Sequence, residues 1–297
     1  MLAIIVFSFL LVILVAGNNS SAVSGTIIGS KMMNRYVALA VTAGGYIAGY
    51  LLEGQFLQHA VNELLPFKPE YVLYAIIASF IIFTIAFFVK VPISLTMALV
   101  GSAIGLSLKL GYSSDFRFLT EIIIAWIAAP LISIGASYIF NDWLSRMPHR
   151  NLWSYASAIK GLLIITAIFT AFTLGANTIG FLGDISGTGL INEIMVSVGS
   201  IIGTFFFSSG IMKSVSQNMY MMKYTNAFSS QLVSALVVEV STLFSIPMSN
   251  TQTLTSAVLG SGLSYRAKAI YLKPFLYIVV MWILSPLIGL AFTYVLA

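Results

Sequence analysis

Two short segments of the chain share the pattern Pro-x-Ser-x-Thr. Residues 92–96 read Pro-Ile-Ser-Leu-Thr, and residues 247–251 read Pro-Met-Ser-Asn-Thr. Proline in a first helical turn with Ser or Thr beside it is typical of a capped helix N-terminus. Such a terminus presents free N–H groups and a partial positive charge, which suit an anion. The pattern therefore predicts two helix ends that bind one anion together.

Two further segments are rich in glycine, asparagine and hydroxyl side chains. Residues 17–30 and 175–189 each follow an apolar run. Non-helical backbone at membrane depth is tolerated only where it is buried in protein or lines a wet cavity. We therefore expect a broken helix in each segment, with polar side chains facing the substrate. The candidate substrate-binding residues of all four segments are Asn18, Asn19, Ser20, Ser94, Thr96, Asn177, Thr178, Ser249, Asn250 and Thr251.

Two carboxyl side chains are candidates for binding a coupling ion. Glu239 lies inside an apolar run, where a carboxylate is costly and so suggests a function. Asp184 lies in the second broken segment and could bind a cation or accept a proton. Structural alternatives stay open: hydroxyl groups also pack between membrane helices, and either acid could be structural. Glu53, Glu121 and Glu193 lie at segment ends and are expected at the membrane interface.

Long apolar segments must position these residues. The chain has 297 residues, of which 59% are hydrophobic and 8% charged, whereas soluble proteins carry about 25% charged residues. About 20 apolar residues cross a bilayer as a helix, and helices satisfy their own backbone groups in lipid. The composition therefore predicts an all-α integral membrane protein, multi-pass, in the cell membrane. The apolar blocks fall at 1–16, 36–52, 71–89, 92–108, 118–140, 157–174, 194–212, 224–245, 247–263 and 274–296.

The composition also excludes several classes of protein. There is no cysteine, so disulfides, thiolate metal sites and cysteine nucleophiles are excluded. The basic residues are scattered in short loops, as in membrane flanks, and do not suggest nucleic acid. Two histidines without metal spacing, and no nucleotide-binding loop, argue against an enzyme or an ATP-driven pump. The N-terminal segment lacks the features of a signal peptide and is expected to be retained.

The two halves of the sequence resemble each other. Residues 92–97 match 247–252, the segment Trp126-x-x-x-Pro matches Trp282-x-x-x-Pro, and Asn18-Asn19 parallels residues 177–178. Matches in the same order are typical of the repeats in secondary transporters. We predict a first transmembrane repeat at 1–145, a polar connection at 146–156 and a second repeat at 157–297. We expect inverted repeats, with 92–108 and 247–263 as re-entrant hairpins that each enter the membrane and return.

The sequence resembles the PiT family of inorganic phosphate transporters and its sulfate permease relatives, over both halves. The segments 25–30 (Gly-Thr-Ile-Ile-Gly-Ser) and 172–177 (Phe-Thr-Leu-Gly-Ala-Asn) are similar to parts of the two family signatures. The duplicated Pro-x-Ser-x-Thr and Trp-x-x-x-Pro segments fit as well. The resemblance implies a secondary active transporter that moves inorganic phosphate with a coupling cation by alternating access.

The sequence departs from the family signature Gly-Ala-Asn-Asp-x-Ala-Asn. The aspartate position holds Asn19 in the first half and Thr178 in the second, and the second asparagine position holds Ala22 and Phe181. Both carboxylates are missing, so we predict proton coupling through Glu239 or Asp184 instead of sodium coupling by the usual residues. Sulfate has no hydroxyl proton to donate, so a site without carboxylates favours sulfate, although asparagine oxygens can still accept a hydrogen bond from hydrogen phosphate.

Three functions stay open at this point. The first is a phosphate transporter, the second a proton-coupled sulfate permease and the third an anion-selective channel built on capped helix ends. The expected partners are an inorganic oxyanion (phosphate or sulfate), the lipid bilayer and, as an open alternative, a second copy of the chain in a homodimer. No cofactor is expected besides a co-transported H⁺ or Na⁺. The distribution of Lys and Arg leaves the orientation in the membrane open.

Overall fold

The computed structural model describes residues 2–29, 33–65, 68–89, 93–111, 116–147, 151–187, 189–208, 219–220, 222–266 and 270–297. Regular structure in these ranges is helical throughout. A 3₁₀ turn, Gly54–Leu57, joins α2 to α3, and a π-helical turn, Gly175–Ile179, joins α7 to α8. The helices are α1 (Leu2–Gly29), α2 (Arg35–Glu53), α3 (Gln58–Leu64), α4 (Pro69–Val89), α5 (Leu95–Leu110), α6 (Phe116–Arg146), α7 (Leu152–Leu174), α8 (Gly180–Ser186), α9 (Leu190–Phe206), α10 (Tyr224–Leu243), α11 (Asn250–Arg266) and α12 (Lys273–Leu296).

The outer faces of the long helices are apolar. In the described part of the chain, six helical stretches are long and apolar enough to cross a bilayer. On α6, the side chains of Ile123, Ile127, Leu131 and Ile139 are at least half exposed, while the polar Asn141 on the same helix is buried. A large exposed apolar surface is unfavourable in water and matches lipid. The protein is therefore a multi-pass membrane protein.

The helices of the two halves pack in equivalent pairs. In chain order, α1, α2, α4, α5 and α6 correspond to α7, α9, α10, α11 and α12. Helix α1 packs on α9 while its counterpart α7 packs on α2, and α5 packs on α12 while α11 packs on α6. Each half thus buries its helices against the other half, and the two repeats interlock. The boundaries of the repeats, with the connection at 146–156, stay a prediction.

The direction of α7 relative to α1 follows from close backbone contacts. A Cβ atom on Gly45 would lie 2.5 Å from the Ala171 Cβ. Further along both helices, a Cβ atom on Gly180 would lie 2.6 Å from the Gly54 Cα. Helix α2 therefore runs in the same direction as α7 and α8. Helix α1 has 28 residues and is about 42 Å long, whereas the connection 30–34 reaches about 20 Å. Helices α1 and α2 are therefore antiparallel, and α7 runs opposite to α1.

A second pair of helices gives the same result. The Gln252 amide donates to the Trp126 carbonyl near the start of α11, and Asn141 donates to the Ser264 hydroxyl near its end. Helices α6 and α11 therefore run in the same direction. The connection 111–115 is too short to return to the start of α5, so α5 and α6 are antiparallel. Helix α11 thus runs opposite to its counterpart α5, and the prediction of inverted repeats is confirmed.

The predicted break at residues 17–30 is wrong, because α1 continues through this segment to Gly29. Its hydroxyl groups bond to their own helix: Ser20 donates to the Gly17 carbonyl at 2.8 Å and Ser24 to the Ser20 carbonyl at 2.6 Å. Such local bonds let Ser lie inside a buried helix. The second segment is irregular, with a π-helical turn and a helix end at Gly187, whose φ is +108°. Ser30 and the side chains of Ser21 and residues 25–29 lie outside the described residues.

The predicted re-entrant hairpins at 92–108 and 247–263 are also wrong in extent, since α5 and α11 are unbroken helices. Each hairpin is larger and consists of a helix pair: α4 with α5, and α10 with α11. Their turns contain the two Pro-x-Ser-x-Thr segments, although Pro92 itself lies outside the described residues. Glycines inside α5 and α11 serve close packing: a Cβ on Gly101 would lie 2.0 Å from the Pro286 carbonyl, and one on Gly260 would lie 2.1 Å from the Ile134 carbonyl.

Candidate functional site

The turns of the two hairpins meet at one cavity. Its volume is about 230 Å³ with its mouth included. Helix α1 and the π-helical turn close it from the sides. Most of the predicted site residues line it, together with three apolar residues that the sequence did not indicate. The lining consists of Asn19, Ser94, Thr96, Thr178, Ser249, Asn250 and Thr251, with Phe83, Ile93 and Leu95.

A hydroxyl pair lies at each hairpin turn. The Oγ of Ser94 is 3.1 Å from the Oγ1 of Thr96, and the Oγ of Ser249 is 2.7 Å from the Oγ1 of Thr251. Ser94 also accepts a bond from the Met97 N–H at 3.4 Å, which caps α5. Each pair has two hydroxyl protons and uses one of them internally. The other proton remains to donate to a ligand, so the two halves offer the cavity equivalent donors.

Two helix N-termini also face the cavity, because α5 begins at Leu95 and α11 at Asn250. The first N–H groups of a helix have no partner within it, and the terminus carries about half a positive charge. None of the lining residues is ionisable. A bound anion would therefore be stabilised by helix dipoles, hydroxyl groups and amides.

The turn of the second hairpin has a defined backbone. Helix α10 ends in a turn in which the Ile246 N–H donates to the Ser241 carbonyl at 2.8 Å. Ser245 adopts the left-handed conformation, with a φ of 57°, as is common at helix C-termini. The Ser245 hydroxyl donates to the Phe56 carbonyl in the other repeat. The turn is thus attached to the first repeat.

Asn177 is buried and holds this turn in place. Its amide nitrogen donates to the Thr242 hydroxyl at 3.0 Å and to the Ile246 carbonyl at 3.1 Å. Its amide oxygen accepts the Met248 N–H at 2.8 Å. All three bonds go to the hairpin turn, and Asn177 does not line the cavity. These bonds fix the turn that carries Ser249, and substrate contact by Asn177 stays a prediction.

Trp126 holds the same turn from the first repeat. Its indole N–H donates to the Pro247 carbonyl at 3.1 Å, and its own carbonyl accepts the Gln252 amide at 3.4 Å. That carbonyl is available because Pro130, four residues on, has no N–H to donate. The Trp-x-x-x-Pro pattern marked the repeat in the sequence, but only the structure gives it this role.

Two other predicted site residues are buried away from the cavity. Asn18 and Ser20 lie on α1 beside Asn19 and do not line the cavity. Successive residues on a helix point in different directions, so neighbours in sequence cannot all face one ligand. Of the three candidates in this segment, only Asn19 lines the cavity.

Neither coupling candidate lines the cavity. Asp184 is half-buried in α8, close to Tyr50, and its Oδ2 is buried without a hydrogen-bond partner. Glu239 is half-buried in α10 and lies close to Glu53 at the end of α2. The Oε2 of each glutamate is buried without a hydrogen-bond partner. Glu53 thus lies beside another carboxyl group, whereas the sequence suggested an acid at the membrane interface.

The architecture defines a class of protein. Inverted repeats place the turns of two helix hairpins at one uncharged, donor-lined cavity within a bundle of membrane-crossing helices. Substrate sites of secondary transporters lie at such repeat interfaces. The fold and site therefore define a membrane transport protein.

Comparison with known proteins gives the family. The profile of the phosphate transporter family matches residues 15–159 and again 141–293, so the chain belongs to the phosphate transporter family. A protein of Methanocaldococcus jannaschii named as a candidate phosphate permease is 27% identical, over 98% of this chain and 95% of that one. The sulfate permease CysP of Bacillus subtilis is 22% identical, over 99% and 86%.

A solved structure has the same fold. The sodium-dependent phosphate transporter superposes with a TM-score of 0.85 over 99% of this chain and 97% of that one, at 14% sequence identity. As a member of a transporter family, the chain is a transporter and not an enzyme.

Proposed function

We propose that the protein carries inorganic phosphate across the membrane, coupled to a cation, by alternating access. The observation that carries the proposal is the cavity between the hairpin turns, where two hydroxyl pairs and two helix N-termini converge without a charged side chain. These donors match the oxygens and the negative charge of a tetrahedral oxyanion. The phosphate permease among the relatives, similar over nearly the whole chain, supports the choice of substrate.

The inverted repeats support alternating access. Since the halves run in opposite directions, an exchange of conformation between them would open the cavity first to one side and then to the other. Each hairpin is packed against a helix of the other half, so the movement of one half changes the environment of both turns. The homodimer stays a prediction.

Sulfate is the second candidate substrate. No carboxylate lines the cavity, and sulfate needs only hydrogen-bond donors. Hydrogen phosphate also needs an acceptor, for which the Asn19 amide oxygen is available. The sulfate permease among the relatives is similar over 99% of this chain, which keeps this alternative open.

The substrate can be tested with purified protein in proteoliposomes. We expect uptake of labelled phosphate, inhibited by unlabelled phosphate more strongly than by sulfate. We also expect counterflow, in which internal unlabelled phosphate drives accumulation of the labelled anion. A channel cannot couple the two flows, so uptake without counterflow would point to a channel. Sulfate uptake that phosphate does not inhibit would make the protein a sulfate permease.

Coupling to a cation is required by the membrane potential. Moving one negative charge into a negative-inside compartment costs about 2.3 kcal/mol at 100 mV, so a dianion costs about 4.6 kcal/mol. We propose that protons offset this cost through Glu239, which lies close to Glu53, or through Asp184. The sodium dependence named for the solved relative makes Na⁺ the alternative.

Neutral substitutions test the coupling residues. We expect Glu239→Gln to abolish accumulation driven by a pH gradient while phosphate exchange continues, because exchange needs no net proton movement. Asp184→Asn tests the other candidate in the same way. Glu121→Gln is the control, since Glu121 is an exposed residue paired with Arg117. Proton coupling through these residues would be contradicted if the variant with both Glu239→Gln and Asp184→Asn still accumulated phosphate in response to a pH gradient. Accumulation of phosphate that needs only a sodium gradient would contradict it as well.

A further inference from the structure

Equivalent positions differ between the two interfaces that join the repeats. Between α5 and α12, Gly101 and Gly289 bring backbones into contact: added Cβ atoms would lie 2.0 Å and 2.2 Å from carbonyl oxygens of the facing helix. The equivalent residues between α6 and α11 are Ser256 and Ser133. A serine at each of these positions adds a side chain that the glycine contact excludes. The second interface is therefore more polar at these positions.

Several polar atoms at this second interface have no partner. The Oγ atoms of Ser133, Ser137 and Ser256 and the Nδ2 of Asn250 are buried without a hydrogen bond, and each side chain is at least 95% buried. Buried polar groups in proteins nearly always have a partner, which is water where the protein supplies none. These atoms therefore indicate a place for water or for a polar ligand.

The unpartnered atoms are aligned with the cavity. Ser133 and Ser137 precede Asn141 on α6 by two turns and one turn, so the three lie on one face of the helix. Asn141 bonds both to Ser264 on α11 and to Ser229 on α10, so this face of α6 points to the junction of α6, α10 and α11. Asn250, on the same junction, lines the cavity.

The far end of the junction is closed by hydrogen bonds. The Asn141 amide donates to the Ser264 hydroxyl at 2.6 Å and to the Ser261 carbonyl at 3.3 Å, and it accepts a bond from Ser229 at 3.3 Å. Asn226 donates to the same Ser261 carbonyl at 2.9 Å. This network, which we call the Asn141 gate, ties the three helices together.

We propose that the junction of α6, α10 and α11 is a path for the transported anion that leads from the cavity past the Asn141 gate; the path is closed in this conformation and hydrated when it opens. The proposal rests on the proposed function as an anion transporter. Neutral hydroxyl and amide donors suit a path, because they bind an anion weakly enough to release it. The matching α5–α12 interface has glycine in place of both serines, and Thr293 donates there to the Ser102 carbonyl, so it offers the anion fewer side-chain donors.

Cysteine labelling tests the path, since the chain has no cysteine of its own. The reacting species is the thiolate, which forms where water reaches the thiol. We expect a small charged methanethiosulfonate to label Ser137→Cys in proteoliposomes about tenfold faster than Thr293→Cys. Thr293 is the matched control, because it occupies the equivalent position of α12 and is equally buried. Asn141→Ala should open the gate and raise the labelling rate of Ser137→Cys further.

Equal rates for the two cysteines would overturn the path, as would an Asn141→Ala variant that leaves the rate at position 137 unchanged. Ser264→Ala, which removes a single bond of the gate, replaces Asn141→Ala if that variant does not fold. Labelling does not depend on uptake. Labelling as expected together with absent anion uptake would therefore contradict the proposed function and leave the hydrated path in place.

Discussion

Alanine at Ser94, or alanine at Ser249, is expected to weaken phosphate binding by about 10- to 150-fold, because loss of one donor to a charged ligand costs about 1.5–3 kcal/mol. Each serine belongs to a hydroxyl pair that holds one proton free for the cavity. The two pairs occupy equivalent positions of the repeats, so the two variants should have similar effects. The double variant should be more severely impaired than either single variant.

The measurement is the phosphate concentration that gives half-maximal uptake, together with direct binding to the purified protein. Ser79→Ala is the matched control: Ser79 is fully buried in α4 and its hydroxyl has no partner, but it does not line the cavity. Unchanged affinity in both Ser94→Ala and Ser249→Ala would place the anion elsewhere.

Asn177→Ala is expected to abolish transport and to lower the melting temperature in detergent. The substitution removes the three bonds to Thr242, Ile246 and Met248. A buried group left without its partner costs about 1–3 kcal/mol, so the backbone groups at Ile246 and Met248 alone destabilise the turn by about 2–6 kcal/mol. The turn that carries Ser249 would then lose its fixed position.

Thr173→Ala is the control for this variant, since Thr173 lies one turn earlier in α7, is fully buried and bonds only to the Thr170 carbonyl of its own helix. It should retain uptake and most of its thermal stability. A positioning role predicts that stability and uptake fall together in Asn177→Ala. Weaker phosphate binding at an unchanged melting temperature would show instead that Asn177 contacts the anion.

Local sequence patterns described some parts of the site better than others. The Pro-x-Ser-x-Thr segments identified both hydroxyl pairs, because a capped helix start is specified by adjacent residues. The same segments were taken as the starts of hairpins inside 92–108 and 247–263, although α5 and α11 are unbroken helices and Pro247 belongs to the turn between α10 and α11. A helix of the other repeat packs closely on Gly101, which only the structure shows.

The roles of Asn177 and Glu53 depend on residues far away in sequence. An asparagine in a polar segment is a plausible ligand for an anion. Only the hydrogen bonds of Asn177 with residues 242–248 show that its side-chain amide already has partners within the protein. Glu53 lies at a helix end, and its neighbour Glu239 belongs to α10 of the other repeat. The packing of the helices decides which partner a polar group has, and a local sequence pattern does not encode that packing.

The sequence by itself determined the membrane class, the duplication, the family and the polar segments of the site. These properties follow from the composition and from the order of neighbouring residues. In lipid, a chain must form long apolar helices, whose backbone groups are hydrogen-bonded within the helix. The tertiary structure decided the opposite directions of the halves, the extent of the hairpins and which amides face the cavity. Those features depend on contacts between residues more than a hundred positions apart, such as Trp126 with Pro247 and Asn141 with Ser261. The role of a polar side chain depends on its hydrogen-bond partners, and the packing of the helices decides which partners it has.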